Sequence, residues 1–508
     1  MALTMDDEEY RRHDGLGLAD LIRHGEVSRE EVFEAACRQI DTYNPALGAV
    51  VRTRYPRTRS EMAAATTDAT FCGVPFLTKD LLMALAGEPL SFGSAALEDW
   101  RPECDSSLVQ RCRQAGLVIL GQTATPELGL MGITEPKAFP HPRNPWDTSR
   151  SPGGSSGGAA TAVASGMVPL AGAGDGGGSI RIPASHCGLF GLKPSRARVP
   201  LGPLHAEVWE GAVVEHALTR SVRDSAALLD AINGMDEGGP LPIRHEGGYL
   251  AALERPLPAL RIGVSLGESL GSPFGTQLDD EVSTALERTA RHCESLGHHV
   301  EWAEPVLDGR AIAESYLSLY LGHLAADLAW IAKETGVPVS RLAIEPSTRA
   351  IGRLGRHLKA SDYVLAKRYW NTLGRTMGAF HRQYDVLLMP VTASPAPLRG
   401  ALYPSSSDER LMSLLALPGL SRLALKLGAL GQLARDALRE TPFTQLANLT
   451  GQPAMSMPVH VTPDGLPVGV QALGAVGDEK QLLQLAAQIE ADVGWQRYLP
   501  VSKPVRSG

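Results

Sequence analysis

The stretch Ser151-Pro152-Gly153-Gly154-Ser155-Ser156-Gly157-Gly158 and the segment that answers it, Gly174-Asp175-Gly176-Gly177-Gly178-Ser179-Ile180-Arg181, decide the reading of this chain. Ala159 to Ala173, between them, is small and apolar throughout, which predicts a tightly packed buried helix running into a strand. Two glycine-rich loops therefore flank one buried element, and each presents a serine. Glycine lets a backbone take positive φ and turn its N–H groups closely onto a ligand. A row of such donors beside a serine hydroxyl suits acyl transfer, which needs a nucleophile and donors for the oxyanion formed on the attacked carbonyl.

Other uses of glycine fit less well. Ordinary turns leave the pairing of the two loops unexplained. A phosphate cradle would need G-x-x-x-x-G-K-[ST], or G-x-G-x-x-G followed by an acidic residue at the right distance, and neither is present. Gly153-Gly154-Ser155-Ser156-Gly157 matches the letters of a nucleophile elbow, but that reading leaves the second loop without a role. A third element upstream, Gly73-Val74-Pro75-Phe76-Leu77-Thr78-Lys79-Asp80, joins the two loops, and Cys187-Gly188-Leu189-Phe190-Gly191-Leu192-Lys193-Pro194 follows them.

In this combination and order the chain resembles the amidase signature family of serine hydrolases, from about Leu18 to Trp495. The resemblance implies an α/β fold: a large, mixed, mostly twisted β-sheet core covered by helices on both faces. It implies a Ser–cis-Ser–Lys triad, with Ser179 as nucleophile, Ser155 as the bridging serine after a cis bond at Gly154–Ser155, and Lys79 as base. The oxyanion donors would be the backbone N–H groups of Gly176, Gly177, Gly178 and Ser179. Asp175 and Arg181 would pair to hold the loop, and Leu130, Met131, Gly132 and Ile133 would line the substrate pocket. Where the family commonly has threonine this chain has Gly174, and Gly176 stands for a larger residue, so the loop is unusually glycine-rich.

The chemistry of that triad follows from its residue types. A serine hydroxyl is a weak nucleophile until a base takes its proton. Lysine, with an ordinary pKa of ~10.4, serves as a base only if burial disfavours its ammonium. Lys79 ends the apolar run Val74 to Leu77, which reads as a short core strand and would carry the amine inside the fold.

At 508 residues and 44% apolar composition the chain can build a sizeable core. A net charge of −8, spread without long runs, argues against nucleic acid as partner. Six scattered cysteines without C-x-x-C spacing suit a reducing compartment and no metal site. The acidic N-terminus lacks a secretory core and no apolar run reaches 18 residues, so a cytoplasmic protein without a membrane span is expected. No organic cofactor is implied, and a homodimer is left open.

Two helices are expected over residues 15–50, with a Ser28-to-Glu31 capping box and a stop at Asn44-Pro45. Buried strands are expected at Leu117 to Leu120, Leu260 to Val264 and Asp385 to Pro390, and further strands at Val300 to Trp302, Ala454 to Val461 and Val468 to Leu473. Residues 306–384 read as helices whose aromatics Tyr316, Tyr320, His323 and Trp330 are read as core packing. Val391 to Pro397 is a loop able to approach the site. Residues 405–439, leucine-rich at helical spacing and broken by Pro418-Gly419, read as a fixed hairpin or a lid within a single domain spanning 1–508.

The leading functional expectation is hydrolysis of C–N bonds in small to medium apolar or aryl amides, with esters and carbamates following the same path. A urethanase or a nylon-oligomer hydrolase using the same triad is the nearest alternative. Ile182-Pro183-Ala184-Ser185-His186-Cys187-Gly188 and Gly202-Pro203-Leu204 resemble the cyclic nylon-oligomer hydrolase subgroup. The A subunit of glutamyl-tRNA amidotransferase fits less well, because Ser195-Arg196-Ala197-Arg198-Val199-Pro200 lacks the tyrosine-glycine stretch expected there. A non-catalytic scaffold would make Ser179 dispensable. His186 beside Cys187 invites a Ser-His reading, but no third group is found to orient the imidazole.

Overall fold

The computed structural model describes residues 5–62, 68–241, 243–244, 246–403 and 438–495. All but the last two residues of the 405–439 stretch, read above as a hairpin or lid, lie outside them. Eleven strands form one sheet: β1 (Val50–Thr53), β2 (Pro75–Lys79), β3 (Val118–Thr123), β4 (Leu170–Asp175), β5 (Phe190–Lys193), β6 (Val214–Thr219), β7 (Arg261–Val264), β8 (His299–Trp302), β9 (Val386–Pro390), β10 (Ala454–Val461) and β11 (Pro467–Gly474). Their order is β1-β3-β2-β4-β6-β5-β10-β11-β9-β7-β8. The β3-β2-β4 and β9-β7-β8 neighbours are parallel and the rest antiparallel, so the sheet is mixed, as expected.

Strands β2, β3, β4 and β6 are buried along their whole length. Both faces of this half of the sheet are covered, which is why β2 and β3 read as continuous apolar runs instead of alternating ones. The helix Gly157–Ala164 is buried at every residue. Its side chains are hydrogen, methyl, a single valine and one threonine, and so narrow a helix can lie close to the neighbouring strands.

The helix Arg29–Leu47 begins with the expected capping box but runs through Pro45 to Gly48, which takes φ +63°. The proline sits in the last turn, where it removes one helical donor and little else. Asn44 does not stop the helix; its side chain exchanges two hydrogen bonds with Val50 at 2.7 and 2.9 Å and so aligns β1. Strands β5 and β6 were not expected as strands from the sequence.

The topology brings three chain segments to one end of the sheet. β2 and β4 run parallel, so Lys79 and Asp175 close their strands on the same side. β6 runs antiparallel to β4 and starts there, with Gly174 opposite Glu215.

Candidate active site

Lys79 and Ser155 are nearly inaccessible, at 1% and 2% exposure. Lys79 Nζ donates to Ser155 Oγ at 2.8 Å. The Gly154–Ser155 peptide is cis, as the resemblance implied. Thr134 holds the first glycine-rich loop: its hydroxyl donates to the Gly153 carbonyl at 2.9 Å and accepts from the Gly157 N–H at 3.1 Å. Asp80, next to Lys79, fixes the turn after β2 by accepting from the Ser91 N–H at 2.9 Å and from Arg52 at 3.0 Å.

The second loop is pinned by a buried ion pair. Arg181 reaches Asp175 through two bonds, Nε to Oδ2 at 3.0 Å and Nη2 to Oδ1 at 2.9 Å, with both side chains at 0% exposure. Gln471 and Asn448 accept further bonds from Arg181, from Nη1 at 3.0 Å and Nη2 at 2.7 Å. Asp175 accepts further bonds from the Gly178 and Ile180 N–H groups and from Asn448 Nδ2, at 2.7, 3.2 and 2.9 Å. Burial opposes the Asp175 charge, but Arg181, Lys193 and these hydrogen bonds outweigh it and hold the carboxyl well below the usual carboxylate range. The pair expected to hold the loop is thus the centre of a buried network.

That network corrects one expected role. The Gly178 N–H points to Asp175 Oδ1, so it is not aimed at an oxyanion. Gly176, Gly177 and Ser179 remain as donors that can face the cavity, and all three line it. Gly178 still matters as glycine, because its φ of +127° is one that L side chains rarely adopt. Thr444 Oγ1, donating to the Gly177 carbonyl at 2.5 Å, fixes the same loop from the other side.

Ser179 stands where two cavities meet. One, of about 160 Å³, contains Lys79, Ser155, Gly174, Gly176, Gly177 and Ser179 and is walled by Phe92, Trp209, Tyr316 and Trp330. The other, of about 80 Å³, runs along Leu130, Met131 and Gly132 to Ile182, Tyr320 and Leu438. It shares Leu130, Met131 and Gly132 with a third cavity of about 190 Å³, where Ile133 and the 391–397 loop residues Thr392, Ser394 and Pro397 join. All four expected pocket residues therefore line the space that begins at Ser179 and continues beyond it.

The four aromatics read as core packing do pack against the hydrophobic clusters or neighbouring rings, and they also wall the cavities: Tyr316, His323 and Trp330 the first, Tyr316 and Tyr320 the second, and Tyr320 the third. Their helix, Gly309–Thr335, thus serves the core and the cavity walls together. His186 lines the third cavity with Ser394, away from the walls around Ser179, and burial pushes its pKa down to about 4. Non-glycine residues at positive φ mark the first cavity: Leu82, Phe92, Leu128 and Trp209 all line it, with φ between 51° and 60°. Such conformations persist where the surroundings enforce them, and they gather at functional sites.

Burial lowers the Lys79 pKa well below the ordinary lysine range, against the opposing pull of the Glu215 and Asp175 carboxylates. Glu215 went unnoticed in the sequence. It is 1% exposed, lines the Lys79 cavity, and burial pushes its pKa far above the carboxylate range, with Lys79 opposing. Asn448 and Gln471 were also missed as partners of Arg181. Chemically, the arrangement offers a buried amine hydrogen-bonded to one hydroxyl, a second hydroxyl in the same cavity, and backbone donors beside it.

The sequence profile of the Amidase family matches residues 31–483. The 6-aminohexanoate-cyclic-dimer hydrolase of Pseudomonas sp. (strain NK87) is 35% identical over 496 residues, covering 95% of both chains. Among solved structures, 6-aminohexanoate cyclic dimer hydrolase in complex with substrate superposes with a TM-score of 0.85 at 32% identity, covering 96% of this chain and 99% of that one. A bacterial aryl acylamidase of the amidase signature enzymes does so with a TM-score of 0.83 at 25% identity, covering 97% and 99%. With its family profile, fold and full-length relatives in agreement, the chain belongs to the amidase signature family and is a hydrolase of C–N bonds in non-peptide amides.

Proposed function

We propose that this hydrolase acts on small to medium, apolar or aryl amides through an acyl-enzyme on Ser179, with Ser155 as proton bridge and Lys79 as base. The observation that carries this reading is the 2.8 Å contact between Lys79 Nζ and Ser155 Oγ inside a buried cavity that Ser179 also lines. Neutral Lys79 takes the Ser155 proton while Ser155 takes that of Ser179, whose Oγ attacks the amide carbonyl. The oxyanion is met by N–H groups of Gly176, Gly177 and Ser179. The proton then returns through Ser155 to the leaving nitrogen, and water repeats the sequence on the acyl-enzyme.

Substrate breadth is read from the two arms that meet at Ser179, one walled by Phe92, Trp209, Tyr316 and Trp330 and one that mixes the aliphatic Leu130, Met131 and Ile182 with Tyr316 and Tyr320. Esters and carbamates present the same carbonyl and enter the same reading. Cleavage of a cyclic or linear nylon-type amide is the second reading, favoured by the 35% identity to a 6-aminohexanoate-cyclic-dimer hydrolase over nearly the whole of both chains. All six cysteines are free, which supports a reducing, cytoplasmic location. The one continuous sheet supports a single domain as the working unit. No helix among the described residues is long and apolar enough to cross a membrane.

The test is hydrolysis of an acyl anilide, its matching aryl carbamate and the cyclic dimer of 6-aminohexanoate. Fastest turnover of the anilide supports the aryl amidase reading. A cyclic dimer cleaved faster than the anilide replaces it with the second reading, and a dominant carbamate rate replaces it with urethanase. The pocket reading has its own test. Met131→Trp narrows the passage shared by the second and third cavities. It is expected to lower kcat/KM for a long-chain acyl anilide about 10-fold or more while leaving acetanilide within about 3-fold. Equal effects on both would remove Met131 from the acyl-binding wall.

A further inference from the structure

Glu215 is a buried carboxyl without an evident structural task. Both of its oxygens lack a hydrogen-bond partner among the described residues, although the side chain is only 1% exposed. Buried carboxyls are ordinarily paired or hydrogen-bonded, because leaving them bare is costly. This one lines the cavity that holds Lys79, Ser155 and Ser179. Space has been kept for it. Gly174 faces Glu215 across the β4–β6 register, and a β-carbon on Gly174 would overlap Glu215 Oε1. Gly174 is the position where the resemblance expects threonine, so the departure from that pattern and the bare carboxyl are two views of one feature.

We propose that Glu215 is a positioning residue of the reaction: from β6 it faces the Lys79 cavity, shares with Lys79 the single proton of the resting site, and requires glycine at 174 to fit. This rests on the triad reading above. An ammonium or a carboxylate alone in this cavity is disfavoured by desolvation, but the two groups together hold one proton without net charge. Wild type becomes active as the pair gives that proton up. When the Ser179 proton then reaches Lys79 through Ser155, the new ammonium has a carboxylate nearby, and Lys79 is a stronger base than burial alone would leave it.

Other charged groups border the site. Asp175 acts on Lys79 from β4 but is neutralised by Arg181, and buried Lys193 lies behind that pair on β5. The cavity wall adds His205, Glu207, Tyr316, His323 and Asp327. Burial lowers the pKa of both histidines, raises that of Tyr316 and raises Asp327 to about 7. These groups shape the pH profile of wild type and variant alike, so the informative quantity is the difference between the two.

Glu215→Gln keeps the shape of the side chain and removes its charge. Its acid limb of kcat/KM, measured on an acyl anilide, is expected to move about one pH unit or more toward lower pH, because Lys79 loses the carboxylate that favours its ammonium. Its plateau kcat is expected to fall about 10-fold, since the base is weaker. Glu215→Asp should keep the limb near that of wild type. An acid limb unmoved in Glu215→Gln, or moved equally in Glu215→Asp, would overturn the proposal and leave Glu215 a packing residue. If Glu215→Gln fails to fold, Gly174→Ala takes its place: crowding the carboxyl out should move the limb in the same direction, and an unmoved limb overturns the proposal. Ser179→Ala, assayed alongside, separates the two levels. Activity surviving in it removes the triad reading itself. Activity lost in it, with an unmoved limb in Glu215→Gln, removes only the role of Glu215.

Discussion

Ser179→Ala is expected to lower kcat on amide substrates by at least about 10⁴-fold while shifting Tm by no more than about 2 °C. The proposed nucleophile is the hydroxyl itself, and its loss leaves the loop intact. Ser179 is only partly exposed, and the neighbouring bonds of the loop, from Gly178 and Ile180 to Asp175 and from Thr444 to Gly177, do not involve its side chain. Lys79→Met should cost kcat comparably, since an uncharged chain of similar length removes the base without leaving a buried charge. The two losses should not add, because nucleophile and base act as one unit, and the double variant is expected within about 10-fold of Ser179→Ala. The measurement is aniline release under single-turnover conditions, with mass spectrometry of the acylated protein. Acyl-enzyme accumulating in Ser179→Ala would move the nucleophile elsewhere.

The parts of this site legible in the sequence are those written as contiguous motifs. Lys79, Ser155 and Ser179 each sit in a run of eight residues with glycine or proline at set positions, and the structure places all three around one cavity. The sheet was legible where its strands are apolar, as in β2, β3, β9, β10 and β11. It was not legible in β6, Val-Glu-His-Ala-Leu-Thr, because Glu215 and His216 interrupt the run. A buried strand carrying two ionisable groups looks like a loop until the cavity and the partner strands that receive them are known. Glu215 was hidden for the same reason. Its signal lay in another residue, since Gly174 is unusual for its motif and glycine opposite a long side chain signals room being made.

The aromatics of Gly309–Thr335 were legible in part: they pack against the core as expected and line the cavities as well. Helical spacing locates a face but does not say whether protein or empty space lies against it, and here part of that face is cavity wall. The Gly178 donor was misassigned because a motif names backbone groups without saying which are already engaged. Only the position of Asp175 Oδ1, 2.7 Å from that nitrogen, shows it to be taken.

Asp175→Asn is expected to destabilise the protein by about 3–5 kcal/mol, read as a lower denaturant midpoint at pH 7. The substitution keeps the size of the side chain but removes the charge facing Arg181, whose guanidinium is 0% exposed and has no other carboxylate among its hydrogen-bond partners. An uncompensated buried cation is the costly outcome, more so than loss of the attraction itself. The loop would loosen as well, because Asp175 holds the N–H groups of Gly178 and Ile180 on either side of Ser179, so kcat should fall even where the variant stays folded. The pH dependence has a definite sign. The folded-state pKa of Asp175 is depressed, so its charge contributes stability that is complete above the unfolded carboxylate pKa of ~3.9 and is lost as pH falls toward the folded value. The stability gap between wild type and Asp175→Asn should therefore be widest and flat above about pH 5 and narrow as pH falls below about 4. A gap under about 1 kcal/mol at pH 7 would mean that Arg181 finds compensation elsewhere, and that the network around Asn448 and Gln471 carries the loop without Asp175.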